Sequence, residues 1–220
     1  MSKLSMLIPV YYNELNLPKT IPTLLDVLNQ LKAESGMEGE LVFTDDGSGD
    51  QSFRVLQEHA EKDVRIKVVK LSRNFGAYIA LQAALDAATG DCYTIIMADL
   101  QDPPELIPKM VDAWKNGHRI VIASRQDRHD PFLNKILANG FWWFMKKYAI
   151  KSLPPGGFDF VCFDRVIADV LRASPEKNSH FMLRVLATGF PYFEIPYVRH
   201  ERDAGTSKWT LSKRIKLFIV

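Results

Sequence analysis

Tyr93-Thr94-Ile95-Ile96-Met97-Ala98-Asp99-Leu100-Gln101-Asp102-Pro103-Pro104-Glu105 is an apolar run that ends in carboxylates and then meets a pair of prolines. Residues 93–97 read as a strand. Pro104 reads as the opening of a helix that reaches residue 115 and is closed by Gly117. The same arrangement recurs upstream. Residues 4–10 read as a strand ending in Tyr11-Tyr12-Asn13-Glu14, followed by a helix over 17–33 with Pro18 in its first turn and Leu24, Leu25, Leu28 and Leu31 along one face. Residues 41–43 are a strand ending in Asp45-Asp46-Gly47-Ser48, and Asp50 is placed to cap a helix over 51–61. Residues 66–71 are a strand ending in Ser72-Arg73-Asn74, followed by an alanine-rich helix over 75–88 closed by Gly90. Residues 119–123 make a fifth strand. This alternation predicts an α/β fold, a mostly parallel, Rossmann-like sheet flanked by helices on both faces. In such sheets ligands bind beyond the carboxyl ends of the strands, where four polar clusters fall in succession.

After Ser124 the rhythm changes. Residues 131–150 read as a long helix rich in aromatics, 152–157 as a loop and 158–163 as a strand. Helices are expected near 165–173 and 180–187, a strand over 192–198, a loop over 199–209 and a helix from 213. With no linker and no internal repeat, residues 1–210 form one domain. Residues 211–220 open a C-terminal amphipathic or juxtamembrane helix whose apolar pattern is still running at Leu217-Phe218-Ile219-Val220.

The composition of the 220-residue chain, 47% hydrophobic and 25% charged, is that of a folded domain. A net charge of +2 lacks the basic excess of a nucleic-acid binder. Residues 199–220 nevertheless hold six Lys/Arg against two Asp/Glu, a pattern that fits an anionic partner or a solvated basic tail. Cys92 and Cys162 sit in apolar stretches and read as buried thiols of a reducing compartment. The start carries no secretory signature, and no apolar run approaches the ~18 residues that a membrane span needs. Phe141-Trp142-Trp143-Phe144-Met145, followed by Lys146-Lys147, reads as core in part, with the remainder suited to a membrane surface.

The acidic cluster supplies oxygen ligands of the kind hard divalent cations take. Asp99 and Asp102 are the candidate metal ligands, with Gln101 assisting, although Asp102 can equally cap the following helix. One aspartate of the Asp45-Asp46-Gly47-Ser48-Gly49-Asp50 turn can accept hydrogen bonds from a base or ribose, and Asp-Gly is also a common turn pair. Arg73, Arg125, Arg202 and Lys208 are candidate diphosphate partners. In Gly156-Gly157-Phe158-Asp159-Phe160 one carboxylate lies between aromatics, which suits a base or an orienting group as well as a turn. The chain has no Gly-x-x-x-x-Gly-Lys loop, no Gly-x-Gly-x-x-Gly, no His-Glu-x-x-His and no Gly-x-Ser-x-Gly elbow.

Taken in order, Ile8-Pro9-Val10-Tyr11-Tyr12-Asn13-Glu14, Asp45-Asp46-Gly47-Ser48-Gly49-Asp50, Ser72-Arg73-Asn74-Phe75-Gly76, Ala88-Thr89-Gly90-Asp91, Ala98-Asp99-Leu100-Gln101-Asp102-Pro103-Pro104-Glu105, Asp159-Phe160 with Asp164-Arg165, and Arg202-Asp203-Ala204-Gly205-Thr206-Ser207-Lys208 resemble family 2 glycosyltransferases of the GT-A fold. The subgroup they resemble is that of polyprenyl-phosphate glycosyltransferases, dolichol-phosphate mannosyltransferase-like and bactoprenol glucosyltransferase-like. The resemblance implies that residues 1–210 are a GT-A catalytic domain. It implies inverting transfer of a hexose from a nucleotide-diphosphate sugar, with UDP or GDP, to an undecaprenyl or dolichyl phosphate. Pro9, Tyr11, Glu14, Asp45, Asp46 and Arg73 would line the donor site with Asp99. Asp99, with Gln101 or Asp102, would hold Mg²⁺ or Mn²⁺, and Arg125, Arg202, Ser207 and Lys208 would grip phosphates. Asp159 would face the acceptor as the catalytic residue. The expected setting is the cytoplasmic face of a membrane, peripheral or anchored, with self-association left open and no nucleic-acid partner.

One departure stands out. Relatives of this kind carry Asp-x-Asp where this chain has Met97-Ala98-Asp99. A thioether is a poor ligand for a hard cation, so Asp102 compensates, metal affinity falls, or the chain binds without catalysing. The other readings are transfer to a sugar hydroxyl of a cell-surface polysaccharide or lipopolysaccharide, a non-catalytic nucleotide-sugar binder, and a nucleotidyltransferase, for which a glycine-rich phosphate loop near the first strand is missing.

Overall fold

The computed structural model describes residues 1–125, 154, 158, 160–176 and 179–197. The sequence order is β1 (Lys3–Val10), α1 (Leu17–Ser35), β2 (Glu38–Asp45), α2 (Ser52–Ala60), β3 (Ile66–Lys70), α3 (Ala77–Ala87), β4 (Cys92–Ile95), α4 (Leu106–Lys115), β5 (Ile120–Arg125), β6 (Phe160–Asp164), α5 (Arg165–Ala173), α6 (Phe181–Ala187) and β7 (Tyr192–Tyr197). The expected helix over 131–150 and the segments past residue 197 lie outside the described residues.

One seven-stranded sheet runs in the order β3-β2-β1-β4-β6-β5-β7. Strands β3, β2, β1 and β4 are mutually parallel, and β5 is parallel to β7. Strand β6 lies between β4 and β5 and runs antiparallel to both. The alternation of strands and helices therefore predicts the parallel half correctly and misses the reversal of β6. Six strands present their carboxyl ends at one rim, and β6 begins at that rim.

Period-two alternation divides the strand residues between two cores. Leu4, Met6, Ile8, Leu41 and Phe43 pack with α1, α2 and α4, whereas Leu7, Val42, Tyr93, Ile95 and Phe163 pack with α3, α5 and α6. Helix α1 buries Leu17, Ile21, Leu24, Val27, Leu28 and Leu31, a 3.6-residue stripe, and ends where left-handed Gly36 (φ 63°) donates to the Lys32 carbonyl.

Two ends differ from expectation because side chains distant in sequence set them. Helix α3 begins at Ala77 rather than Phe75, because the Phe75 and Gly76 amides donate to the Asp46 carboxylate outside the helix. It is not closed by a glycine either. Ala88 is extended, and Arg172 donates to the carbonyls of Leu85 and Ala88 at 2.8 and 2.9 Å. Gly90 serves close packing instead, since a Cβ there would meet Ser5 Oγ at 2.6 Å. No described helix is long and apolar enough to cross a membrane.

Candidate active site

The order of the central strands reverses between β1 and β4, which diverge at their carboxyl ends. Their pairing stops at Leu7 and Ile95, so Pro9 is buried on β1 beyond the last residue that β4 pairs with. An imide nitrogen that cannot donate is tolerated where a ladder has ended. The crevice that opens there is the place where a doubly wound sheet takes a ligand.

On one side of the crevice, the loop after β1 and the loop after β2 are laced together. The amides of Tyr12, Asn13 and Glu14 donate to Ser48 Oγ (3.0 Å), Ser52 Oγ (2.9 Å) and Asp50 Oδ2 (3.3 Å). In return, Glu14 Oε2 accepts from the Gln51 amide (2.8 Å), while Asp50 Oδ1 accepts from Ser52 (3.0 Å). Glu14 and Asp50 thus supply acceptors for donors at the start of α2, as capping carboxylates do. Tyr12 takes a left-handed conformation (φ 56°), and Tyr11 places its half-exposed ring edge-on to it at 4.7 Å.

The two carboxylates that end β2 have opposite surroundings. Asp46 accepts from the amides of Phe75 (2.7 Å) and Gly76 (2.9 Å) and so ties the Arg73 segment to the rim. Burial raises its pKa, and the neighbouring Asp45 charge adds to the rise against the pull of those two amides. Gly47, at φ 66°, brings the turn against the same segment, where a Cβ would lie 2.5 Å from the Arg73 carbonyl carbon. Arg73 itself is exposed, with its guanidinium over the Phe75 ring at 4.2 Å. Asp45 is 0% exposed, and neither of its oxygens has a hydrogen-bond partner. An unpartnered buried carboxylate is costly, because neither water nor a protein donor repays its desolvation.

Across the crevice, Asp99 is half-buried in the turn after β4. The turn is tight: the Leu100 amide donates to the Met97 carbonyl, Leu100 is left-handed (φ 51°), and the Gln101 amide reaches Asp99 Oδ1 at 3.4 Å. Thr20 of α1 donates to the Ala98 carbonyl at 2.6 Å, and Tyr197 at the end of β7 donates to Asp102 Oδ1 at 2.9 Å. Arg125 ends β5 on the same rim. Asp159, Arg202, Ser207 and Lys208, and the side chain of Arg125, lie outside the described residues.

Of the expected site residues, Pro9, Tyr11, Glu14, Asp45, Asp46, Arg73, Asp99, Gln101 and Asp102 therefore fall on strand ends and loops of one rim. The sequence reading missed Ser48, Ser52, Thr20 and Tyr197. The first two had a signal in the serine-rich turn, and the others had none, because nothing local marks a partner 78 or 95 residues away. The side chains after β4 include oxygen donors of the kind a hard cation takes. Asp99 and Gln101 offer oxygen, Met97 does not, and no group of three ligand side chains occurs among the described residues. A Mg²⁺ or Mn²⁺ ion here would take its remaining ligands from substrate phosphates and water.

The sequence model of the family described as Glycosyl transferase family 2 matches residues 5–169. The chain is 39% identical over 214 residues to "uncharacterized glycosyltransferase YkcC" of Bacillus subtilis (strain 168), which covers 97% of this chain and 65% of that protein. It is 33% identical over 209 residues to the bactoprenol glucosyl transferase of Shigella phage SfX, covering 94% of this chain and 67% of that one. The chain thus spans about two thirds of the length of these relatives. Among solved structures, the mannosyltransferase PcManGT from Pyrobaculum calidifontis in complex with GDP-Man and Mn²⁺ superposes with a TM-score of 0.62 at 19% identity, over 91% of this chain and 57% of that one. That likeness concerns the fold.

Proposed function

The chain belongs to glycosyl transferase family 2, and from that premise we propose that it transfers a hexose, with inversion, from a nucleoside-diphosphate sugar to a polyprenyl phosphate at a membrane surface. The observation that carries the donor half is Asp45, a carboxylate buried at the rim with both oxygens unbonded. A nucleobase imide N–H supplies the missing donor, and Tyr11, which follows the β1 residue paired with Asp45, offers an aromatic ring to the base. The acceptor half is supported by relatives named for bactoprenol and undecaprenyl phosphate.

In this reading Glu14, Asp46 and Asp50 hold the two loops that frame the nucleoside. Arg73, Arg125, Arg202, Ser207 and Lys208 bind phosphate oxygens of donor and acceptor. Asp99 and Gln101 hold Mg²⁺ or Mn²⁺ against the diphosphate. When bound, the cation neutralises charge that develops on the departing nucleoside diphosphate. The anomeric carbon takes on oxocarbenium character as that bond lengthens. The acceptor attacks from the opposite face, which inverts the configuration. A phosphate monoester, whose second ionisation lies near pH ~6, arrives already charged. Asp159 then orients the nucleophile rather than taking a proton from it.

The test has two arms. UDP, GDP and their hexose conjugates, with and without Mn²⁺, are scanned by thermal shift; a ligand at ~100 times its Kd adds about 2.7 kcal/mol to the folded state. Labelled donor is then offered to undecaprenyl phosphate in detergent. Stabilisation by one nucleotide series and a lipid-linked sugar of inverted configuration are expected. Absence of any nucleotide effect sinks the donor half, and label appearing only on a glycan hydroxyl replaces the acceptor half.

A further inference from the structure

The Asp99 turn is pinned from both sides by buried hydroxyls of distant elements. Before Asp99, Thr20 of α1 donates to the Ala98 carbonyl (2.6 Å), and both residues are buried. After it, Tyr197, 4% exposed, donates to Asp102 Oδ1 (2.9 Å), and Asp102 is itself 2% exposed. Between the pins the chain adopts a conformation it does not hold by local preference, with non-glycine Leu100 at φ 51°. Such a conformation persists only where its surroundings over-determine it. Two buried hydrogen bonds to opposite ends of a five-residue segment provide that constraint.

We propose that Asp102 is a positioning residue rather than a metal ligand, and that Thr20 and Tyr197 set the placement of the Asp99 and Gln101 oxygens toward a divalent cation on the donor diphosphate. The proposal rests on the donor-binding reading above. Its physical content is that partners outside the coordination shell tune metal affinity by orienting the ligands. The carboxylate charge of Asp102 is dispensable, and its acceptor oxygen is required.

The test is Mn²⁺ affinity, read by electron paramagnetic resonance on the full chain in the presence of UDP and, separately, GDP, with melting temperature recorded in parallel. Tyr197→Phe and Thr20→Val remove one hydroxyl each, and each is expected to weaken Mn²⁺ binding about 10-fold. Asp102→Asn keeps an acceptor oxygen for Tyr197 and retains affinity within about threefold. Asp102→Leu behaves as Tyr197→Phe does, and combining those two adds no further loss. A collapse of Mn²⁺ binding in Asp102→Asn, comparable to that of Asp99→Asn, makes Asp102 a ligand and overturns the proposal. So does a Tyr197→Phe protein that melts lower but binds Mn²⁺ as the parent does. A parent chain that binds Mn²⁺ with neither nucleotide overturns this proposal, whereas the donor reading fails only if the nucleotides also leave the melting temperature unchanged, which distinguishes the two failures.

Discussion

Glu40 and Asp45 are both buried carboxylates of β2, on opposite faces and near opposite ends, and they differ in what surrounds them. Glu40, 2% exposed, accepts from Ser5 Oγ and the Thr89 amide and pairs with Lys3 and Lys67. Burial alone would raise its pKa, but the bonds from Lys3, Ser5, Thr89 and Lys67 outweigh it and hold it at about 2 against an ordinary 4.5. A carboxylate with a lowered folded pKa adds stability that is complete above its unfolded value and is lost as pH falls through the folded one. The displacement corresponds to about 3 kcal/mol. Glu40→Gln is therefore expected to lose about 3 kcal/mol in urea denaturation at pH 7, with the gap to the parent narrowing below pH 4.5 and closing near pH 2. Asp45 has no such partners. Asp45→Asn is expected to raise stability in the absence of ligand by about 1–3 kcal/mol, because an amide is cheaper to bury than an unpaired charge. It should also abolish the melting-temperature rise produced by the nucleotide that stabilises the parent. An Asp45→Asn protein that is less stable and still responds to nucleotide contradicts this account.

At the scale of elements, the sequence located nearly every described helix and strand, and it erred where an end is set from outside. Helix α5 is found as expected over Arg165–Ala173, because Asp164 caps it locally by accepting from the Val166 amide at 2.9 Å. Strand β2 is longer than its apolar centre. Glu38 and Glu40 disguise its beginning, and the charge at position 40 is made acceptable by the lysines of neighbouring strands together with Ser5 and the Thr89 amide. The end of α3 is the clearest case. Its last carbonyls are satisfied by Arg172, which reaches across from α5 and also contacts Tyr93 Oη at 3.3 Å. Arg172→Met keeps the stem and removes the donors, and it is expected to cost about 1–3 kcal/mol with nucleotide affinity unchanged. Equilibrium unfolding and the thermal-shift response measure the two separately. A loss of nucleotide binding at full stability would show that this end of α3 communicates with the site.

Over the whole molecule, the sheet is one cooperative object with a core on each face, and the two thiols report on it. Cys92 and Cys162 lie on adjacent antiparallel strands with their sulfurs 3.0 Å apart, and both are buried. Burial, and then the neighbouring Cys162, push the Cys92 thiol well above its usual pKa, which suppresses the reactive thiolate. Labelling of native protein with an aromatic disulfide reagent at pH 8 is expected to be slow and to rise with urea in step with loss of secondary structure. Fast labelling without urea would mean that β4 and β6 part locally. The sequence by itself determined the alternation of strands and helices, the two-faced burial and the polar clusters at strand ends, because periodicity and turn chemistry act over a few residues. It also carried the family pattern, which needs only the order of motifs. The tertiary structure alone decided that β6 runs backwards between β4 and β5 and so begins at the rim, that Asp46 and Glu14 brace loops while Asp45 is left unbonded, and that Thr20 and Tyr197 pin the Asp99 turn. Each of these depends on a partner far away along the chain, and which groups meet across such distances is set by the packing of the whole sheet.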